Sequence, residues 1–326
     1  MLLVEITINA VVNYVSIDGI ALTHNWRPRI LSFDAPQISI PSNHGGYAAM
    51  TFGSISFSQE LFSGDWPPPR TCAISIYYTD TTEAVRELVF AGTAELTSFD
   101  RNQINYALMA SSYDETIAAA TAYNDTLNVI MTTILSTIAE INTVNTAYAR
   151  LASPNVAHTL ADTMTAIEIA SLIAEFYSHL FYVIGDTAYL VDMLLSNGAD
   201  WTLTEFDFFA FPVYSYNTPV ASILAGQVKR FSAYPYGSDM TVDSYHTTEA
   251  NIITALDNIL TIENSPRVTL DVPMIAGNFP RPGQKIIVPD TAHVSDLASW
   301  IRARRLTFDF LNTSITVEGE GEVAAA

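Results

Sequence analysis

Short runs of alternating apolar and polar residues dominate the first 110 positions of the chain. Ile74, Ile76 and Tyr78 fall on one face of such a run, and the intervening positions face the other way. Asp100-Arg101-Asn102 has the composition of a tight turn and predicts a hairpin between the runs on either side of it. Many short strands separated by turns are typical of a β-barrel or a β-sandwich.

The apolar spacing changes near residue 111 from the strand period to the helix period. Five residues that recur at steps of 3, 4, 4 and 3 predict a helix with one apolar face: Leu127, Ile130, Ile134, Ile138 and Ile141. We expect Asp114 and Glu115 in its first turn, where carboxylates favour the helix dipole.

A second helix and a hairpin follow in the same unit. Thr165 and Glu168 have the spacing of a capping box, which predicts a helix start. The apolar run 181–184, the turn Gly185-Asp186 and the run 187–191 then predict a β-hairpin.

Strand patterns return after residue 205. One helix is predicted over Thr248–Ile262, and a last hairpin over Ile301–Phe310 and Ser314–Gly319. The sequence therefore predicts an α+β, mainly β fold, in which two β-barrel-like tube domains flank a helical and hairpin insertion domain. We expect the first barrel over 1–110, the insertion over 111–204, the second barrel over 205–320 and a flexible tail over 321–326.

Composition narrows the class of protein. Hydrophobic residues make up 49% of the 326 positions and charged residues only 15%, against about 25% in an average soluble domain. No charge-free apolar stretch of about 20 residues occurs, so stable membrane insertion is not expected. The composition favours an obligate oligomer whose apolar surface is covered by other protein. A β-rich monomer solvated by its Thr, Ser and Asn side chains is the alternative.

The net charge of −20 excludes tight nucleic-acid binding, which requires a basic stripe that displaces counterions. The first residues lack the basic region of a secretory signal. Proteins of saline habitats are also acidic, which is a second explanation of the charge.

The sequence lacks the common catalytic and cofactor motifs, so we predict that the protein is not an enzyme and holds no cofactor or metal. No two of its six histidines have metal-ligand spacing, and no phosphate-binding glycine loop or nucleophile elbow occurs. His179 and Cys72 are expected in a core, and His246 beside a helix start. Asp207, between two phenylalanines, is expected to face outward or into a partner.

Aromatic and arginine side chains are favoured at protein interfaces, which suggests candidate contacts. The predicted subunit contacts are Phe208, Phe209, Trp300, Arg302, Arg304 and Arg305. Tyr234 and Tyr236, in a Tyr-Pro-Tyr-Gly loop, are candidates for contact with a glycan.

Three segments resemble a known family. They are the hairpin 181–192 that follows a helix, the segment 281–288 with Pro282-Gly283, and the final hairpin 305–321. Together they resemble the central hub protein of tailed-phage tail tips and baseplates, a family that is shared with contractile baseplates and the base of the type VI secretion spike. Gln284 stands where the family usually has an acidic residue.

The resemblance implies a virion structural protein of the phage tail, made in the host cytoplasm without a signal peptide. It implies a homotrimeric ring whose six similar β domains match the sixfold tail tube. The expected partners are the distal tail protein and a spike, fibre or tail-tip protein. Three chains would carry a charge near −60, three times that of one chain, and an acidic bore would repel passing DNA.

Other functions stay open at this stage. The chain is consistent with a distal tail ring, or with a tail protein that binds a receptor glycan. A wall-degrading glycosidase that uses two carboxylates is the enzymatic alternative.

Overall fold

The architecture is taken from a computed structural model. It describes residues 2–8, 11–16, 30–34, 37–39, 44–50, 53–58, 67–79, 85–109, 113–149, 153–194, 201–202, 213–215, 217–246, 248–273, 280–287, 298–309 and 314–323. The fold class is α+β and mainly β, as predicted.

The first third of the chain forms strands. They are β1 (Leu2–Ile8), β2 (Val11–Ser16), β3 (Ile30–Asp34), β4 (Gln37–Ser39), β5 (Gly46–Tyr47), β6 (Ala49–Met50), β7 (Ser54–Ser58), β8 (Thr71–Thr79), β9 (Arg86–Phe99) and β10 (Gln103–Met109).

The middle of the chain mixes strands and helices. The elements are β11 (Thr116–Ile117), β12 (Ala122–Thr126), α1 (Leu127–Leu135), β13 (Thr143–Tyr148), β14 (Asn155–Thr159), β15 (Met164–Thr165), α2 (Ala166–Phe176), β16 (His179–Ile184) and β17 (Thr187–Asp192).

The last third is again mostly β. Its elements are β18 (Trp201–Thr202), β19 (Val213–Ser215), β20 (Val220–Ala225), β21 (Val228–Phe231), β22 (Ser238–Thr241), α3 (Glu249–Glu263), β23 (Arg267–Pro273), β24 (Lys285–Ile287), β25 (Ala298–Asp309) and β26 (Ser314–Val323).

Two large sheets contain most of the strands. The first has the order β2-β1-β8-β9-β10-β7-β3, and the second has the order β18-β24-β25-β26-β23-β19. Strand β4 also joins the second sheet through β25, and β6 pairs with β4. Strands β4 and β6, which were expected in the first barrel, therefore belong to the second sheet.

One apolar core lies between these two sheets, and a second lies in the middle of the chain. The first core joins side chains of β7–β10 to side chains of β23–β26. The second core contains α1, α2 and also α3 with β20. The expected boundary at residue 205 therefore does not follow the packing, because α3 and β20 bury their apolar faces against α1 and α2.

The hairpin β16–β17 separates the two cores. Leu180, Tyr182 and Val191 point into the first core, whereas Phe181 and Leu190 point into the second. Both faces of the hairpin are buried, which explains its nearly continuous apolar sequence. The predicted Gly185-Asp186 turn is confirmed, with Gly185 at φ 62°.

The predicted features that depend on residues close together in the sequence are confirmed. Thr165 and Glu168 form the predicted capping box at the start of α2. The hairpin at residues 100–102 is confirmed, since the Asp100 side chain accepts hydrogen bonds from the backbone of Asn102 and Gln103. Helix α3 and the last hairpin are confirmed as well.

The first predicted helix was too long. Helix α1 ends at Leu135, and successive tight turns rather than a helix keep Ile138 and Ile141 buried. Asp114 and Glu115 are not in its first turn, because short strands that pair with β14 and β15 precede α1. Ser and Thr after Leu135 favour helix ends, which the apolar spacing did not take into account.

Strands β9 and β26 are both long, and the end of β26 differs from the prediction. The run before the turn at residues 100–102 forms the long strand β9, in which Gly92 lets the carbonyl of Met109 on β10 approach closely. Residues 321–323, expected in a flexible tail, belong to β26 and pair with β25. Glycine or valine alternates there with glutamate, which is a strand pattern.

Gly45 should be intolerant of a side chain. It has φ +146°, and a Cβ atom there would lie 2.2 Å from the backbone oxygen of His179. We expect Gly45→Ala to lower the free energy of unfolding by about 2–4 kcal/mol, from backbone strain and overpacking together. Urea unfolding followed by circular dichroism measures this change.

Gly226→Ala is the matched control, since Gly226 also has positive φ but has no atom within 4 Å of an added Cβ. It should cost only the backbone strain, about 1–2 kcal/mol. Equal losses in the two variants would contradict the close approach at Gly45.

Candidate functional site: a buried histidine junction and the outer surfaces

The segment 44–50 connects the β sheets to the helical unit. Strand β5 pairs in parallel with β16, and the amide of Ala48 donates to the carbonyl of Phe181 at 2.7 Å. The amide of Tyr47 donates to Oγ of Ser171 on α2 at 2.9 Å, and the Tyr47 ring stacks on Phe181 at 5.1 Å between centroids. The composition of His44-Gly45-Gly46 indicates only a turn, so the sequence does not identify this connection.

His44 lies buried between two carboxylates from different helices. Its Nδ1 atom is 2.8 Å from Oε1 of Glu263, the last residue of α3. Its Nε2 atom is 3.1 Å from Oε1 of Glu175, near the end of α2, in a contact with ion-pair distance but without hydrogen-bond geometry. One imidazole therefore joins three elements that lie far apart in the sequence.

The charged form of His44 suits this position. Burial acts to lower its pKa, but Glu175 and Glu263 together outweigh burial and hold the pKa above its ordinary value. Both carboxylates lie at helix C-termini, where the dipole is negative and neither helix has a basic residue in its last turn. A cation there offsets both the carboxylates and the helix ends.

Two further histidines, His179 and His246, are explained by local structure. His179 is buried, as predicted, with Nδ1 2.9 Å from the carbonyl oxygen of Tyr177. His246 accepts a hydrogen bond from the amide of Thr248, next to the start of α3, as expected. The predicted burial of Cys72 is also confirmed, and burial raises the pKa of its thiol to about 11. Among the described residues, no three or more His, Cys, Asp or Glu side chains are arranged so that they could hold a metal ion.

The predicted basic contact cluster lies on β25. Arg305 is half exposed, and its Nη1 is 3.4 Å from Oε2 of Glu318 on β26. The register also places Arg302 opposite Glu320 and Trp300 opposite Glu322. Arg305 therefore has an acidic partner within its own chain. The side chains of Trp300, Arg302 and Arg304 lie outside the described residues, as do Phe208, Phe209 and Asp207.

The predicted glycan-contact tyrosines are exposed together with a third aromatic ring. Tyr234 is 48% exposed and Tyr236 is 97% exposed, in the loop between β21 and β22. Phe231, at the end of β21, is 72% exposed, and the Nζ atom of Lys229 lies 5.2 Å from its ring centroid. The strand alternation of β21 was the signal that could have identified Phe231.

No protein-family model matches the sequence, and no curated protein matches it. Solved structures do resemble it along nearly its whole length. A tail protein from Neisseria meningitidis MC58 aligns with a TM-score of 0.61 and 12% identity, covering 98% of this chain and 96% of that one.

Two prophage proteins align in the same way. The 43 kDa tail protein of prophage MuSo2 from Shewanella oneidensis has a TM-score of 0.57 and 10% identity, covering 99% of this chain and 97% of that chain. A prophage tail protein from Listeria monocytogenes has a TM-score of 0.56 and 10% identity, covering 97% and 94%. The chain has a tail-protein fold.

The tail-protein fold includes the segments on which the resemblance rested. The backbone of Gly283 packs so closely on the hairpin that an added Cβ would lie 2.8 Å from side-chain atoms of Leu180 and Val191. Two of the three segments, 181–192 and 281–288, are therefore in direct contact. None of the helices in the described ranges is long and apolar enough to cross a membrane.

Replacing His44 should reveal a pH-dependent contribution to stability. His44→Gln leaves two glutamates close together without a cation, so we expect a loss of about 3–5 kcal/mol at pH 6. Because the folded-state pKa lies above the ordinary 6.5, this contribution is complete below about pH 6.5 and is lost as pH rises through the folded-state pKa. Urea unfolding of both proteins between pH 5.5 and 9 measures the difference.

Subtracting the variant from the wild type cancels the titration of the other groups, including His158 and His246, whose pKa values are lowered by burial. Arg305→Gln is the control for an exposed pair and should cost only about 0–1 kcal/mol. A His44→Gln loss that stays constant across this pH range would show that folding does not raise the pKa of His44.

Proposed function

We propose that the protein is a structural subunit of a phage tail tip or baseplate, where it forms a homotrimeric hub ring in the virion. The observation that carries this proposal is the alignment with three tail proteins over at least 94% of both chains. A correspondence of that extent includes both large sheets and the unit between them. The ring would join the tail tube, through the distal tail protein, to a spike, fibre or tail-tip protein.

Exposed apolar residues at sheet ends support assembly. In the described part of the chain, β3 ends the first sheet and β19 ends the second. Each presents an exposed apolar side chain, Leu31 at 49% and Val213 at 66%. An unpaired strand edge with exposed apolar residues is a template for association, so natural proteins usually cover it. We assign the outer edges of β3 and β19 to subunit contacts.

The charge of the protein supports a conduit for DNA. Several of the described basic side chains are paired with carboxylates of the same chain, namely Arg70, Lys229, Arg230, Arg281 and Arg305. The excess acidic charge therefore stays uncompensated and would repel phosphate in a shared bore. A bore of this kind needs no catalytic group, and His44, which lies between two carboxylates, is engaged in internal ion pairs.

Self-association tests the ring. Native mass spectrometry should show a species with three times the 35.7 kDa mass of one chain. Leu31→Asp should reduce the trimer about tenfold or more, since a carboxylate would replace an apolar contact in the interface.

Val129→Asp is the matched control because Val129 is also 49% exposed but lies on α1, away from both sheet ends. It should leave the trimer intact. A chain that stays monomeric at high concentration, or equal effects of the two variants, would contradict the proposed ring contacts.

A receptor-binding tail protein is the second candidate, favoured by the exposed rings of Phe231, Tyr234 and Tyr236. Aromatic faces bind the apolar faces of sugars. A glycan array should then show binding that Tyr236→Ser lowers about tenfold. Val85→Ser, at an exposed residue next to β9, is the control and should leave binding unchanged. Tyr123→Ser is not a suitable control, because the Tyr123 ring is buried in the second core. Absence of binding to any glycan would remove this candidate.

A further inference from the structure

A cavity of about 320 Å³ opens between β14, α2 and the segment 242–246. Its volume lies at the lower end of the ~300–1,000 Å³ that is typical of ligand sites. Four apolar side chains line one part of it: Leu160, Met164, Ile169 and Leu172. His158, Asp162, Asp243 and Tyr245 line the rest. The cavity thus combines an apolar wall, two aromatic rings and two carboxylates.

The aromatic part of the cavity is held in place from behind. The carbonyl of Tyr245 accepts hydrogen bonds from Oη of Tyr177 at 3.1 Å and from the amide of Ala157 at 3.3 Å. The Tyr245 ring packs against His158 at 4.6 Å and Phe176 at 5.9 Å between centroids. A ligand that contacts these rings would not have to order them first.

The two carboxylates of the cavity have no cationic partner in the described part of the chain. Asp162 and Asp243 are exposed, and neither lies within 4 Å of a lysine, arginine or histidine nitrogen of the described residues. Asp257, by contrast, binds both Nε and Nη2 of Arg230. The unpaired carboxylates give the cavity a negative potential.

The neighbouring groups do not neutralise that potential. Burial lowers the pKa of His158 more than the charge of Asp243 raises it, so the ring is mainly neutral at pH 7. Burial, together with the charges of Asp243 and Glu175, raises the pKa of Tyr245 to about 12. A cationic ligand therefore meets only negative or neutral groups in this cavity.

We propose that this cavity binds the arginine side chain of another protein. The guanidinium would pair with Asp162 and Asp243 and stack on the ring of His158 or Tyr245, an arrangement that arginine adopts more readily than lysine. Its aliphatic stem would lie on Leu160, Met164 and Leu172. The net charge of −20 attracts a basic partner segment to this surface. The inference does not depend on the proposed ring.

Methionine-methyl NMR tests the cavity directly, because Met164 lines it. N-acetyl-arginine methylamide, titrated into the full chain, should shift the Met164 signal saturably, with a Kd on the order of 1 mM for so small a probe. The buried Met131 of α1 should not move. The citrulline analogue has nearly the same shape without the charge and should bind about tenfold more weakly.

Variants separate the carboxylates from general charge effects. Asp162→Asn with Asp243→Asn should weaken arginine binding about tenfold. Asp34→Asn with Asp100→Asn removes two exposed charges from the first sheet and should leave binding unchanged.

Four results would overturn the proposal. They are an unmoved Met164 signal, equal binding of the citrulline analogue, unchanged binding by the cavity variant, and equal binding of N-acetyl-lysine methylamide, in which an ammonium replaces the guanidinium. A Met164 shift that follows protein concentration without any probe would instead identify a second copy of the chain as the occupant, which also contradicts the proposal.

Discussion

The structure depends on a β-hairpin that is buried on both faces. Side chains of β16 and β17 alternate between a core formed by the two large sheets and a core formed by three helices. Burying a large apolar side chain contributes about 2 kcal/mol, so Leu180, Phe181, Tyr182, Leu190 and Val191 together contribute on the order of 10 kcal/mol as an upper estimate. That is comparable to the net stability of a domain, so neither core can form fully without the hairpin.

The segment 44–50 adds a second link between the same two parts. Its backbone extends the hairpin sheet, and its first side chain, His44, reaches the C-terminal ends of α2 and α3. Apolar burial is not directional, whereas an imidazole between two carboxylates specifies how the two helix ends are placed. Gly45 makes this possible because only a residue without Cβ fits against the carbonyl of His179.

The scarcity of basic residues shapes the surface. Several of the described basic side chains form ion pairs with carboxylates of the same chain, such as Arg281 with Glu87 and Arg230 with Asp257. Asp162 and Asp243 have no lysine, arginine or histidine partner among the residues that the structure describes. The proposed repulsion of DNA and the proposed binding of an arginine from another protein both rest on this excess of acidic charge.

The sequence alone determined the features that residues within a few positions of each other decide. The capping box of Thr165 and Glu168, the turn at Gly185-Asp186 and the alternation of the last hairpin depend on local hydrogen bonds and on the two periods of the backbone. The general fold class followed from these elements, and so did the exposure of Tyr234 and Tyr236. The resemblance to tail proteins rested on the same local segments.

Only the tertiary structure decided which elements share a core. Helix α3 has the same apolar spacing whether it packs against a barrel or against α1 and α2, so its sequence could not predict the choice. The local sequence pattern does not predict that β4 pairs with the second sheet. It also does not predict that His44 contacts Glu263, which lies 219 residues away. Such contacts form because burial and charge compensation depend on position in space, and a single sequence records neither distance nor direction between remote residues.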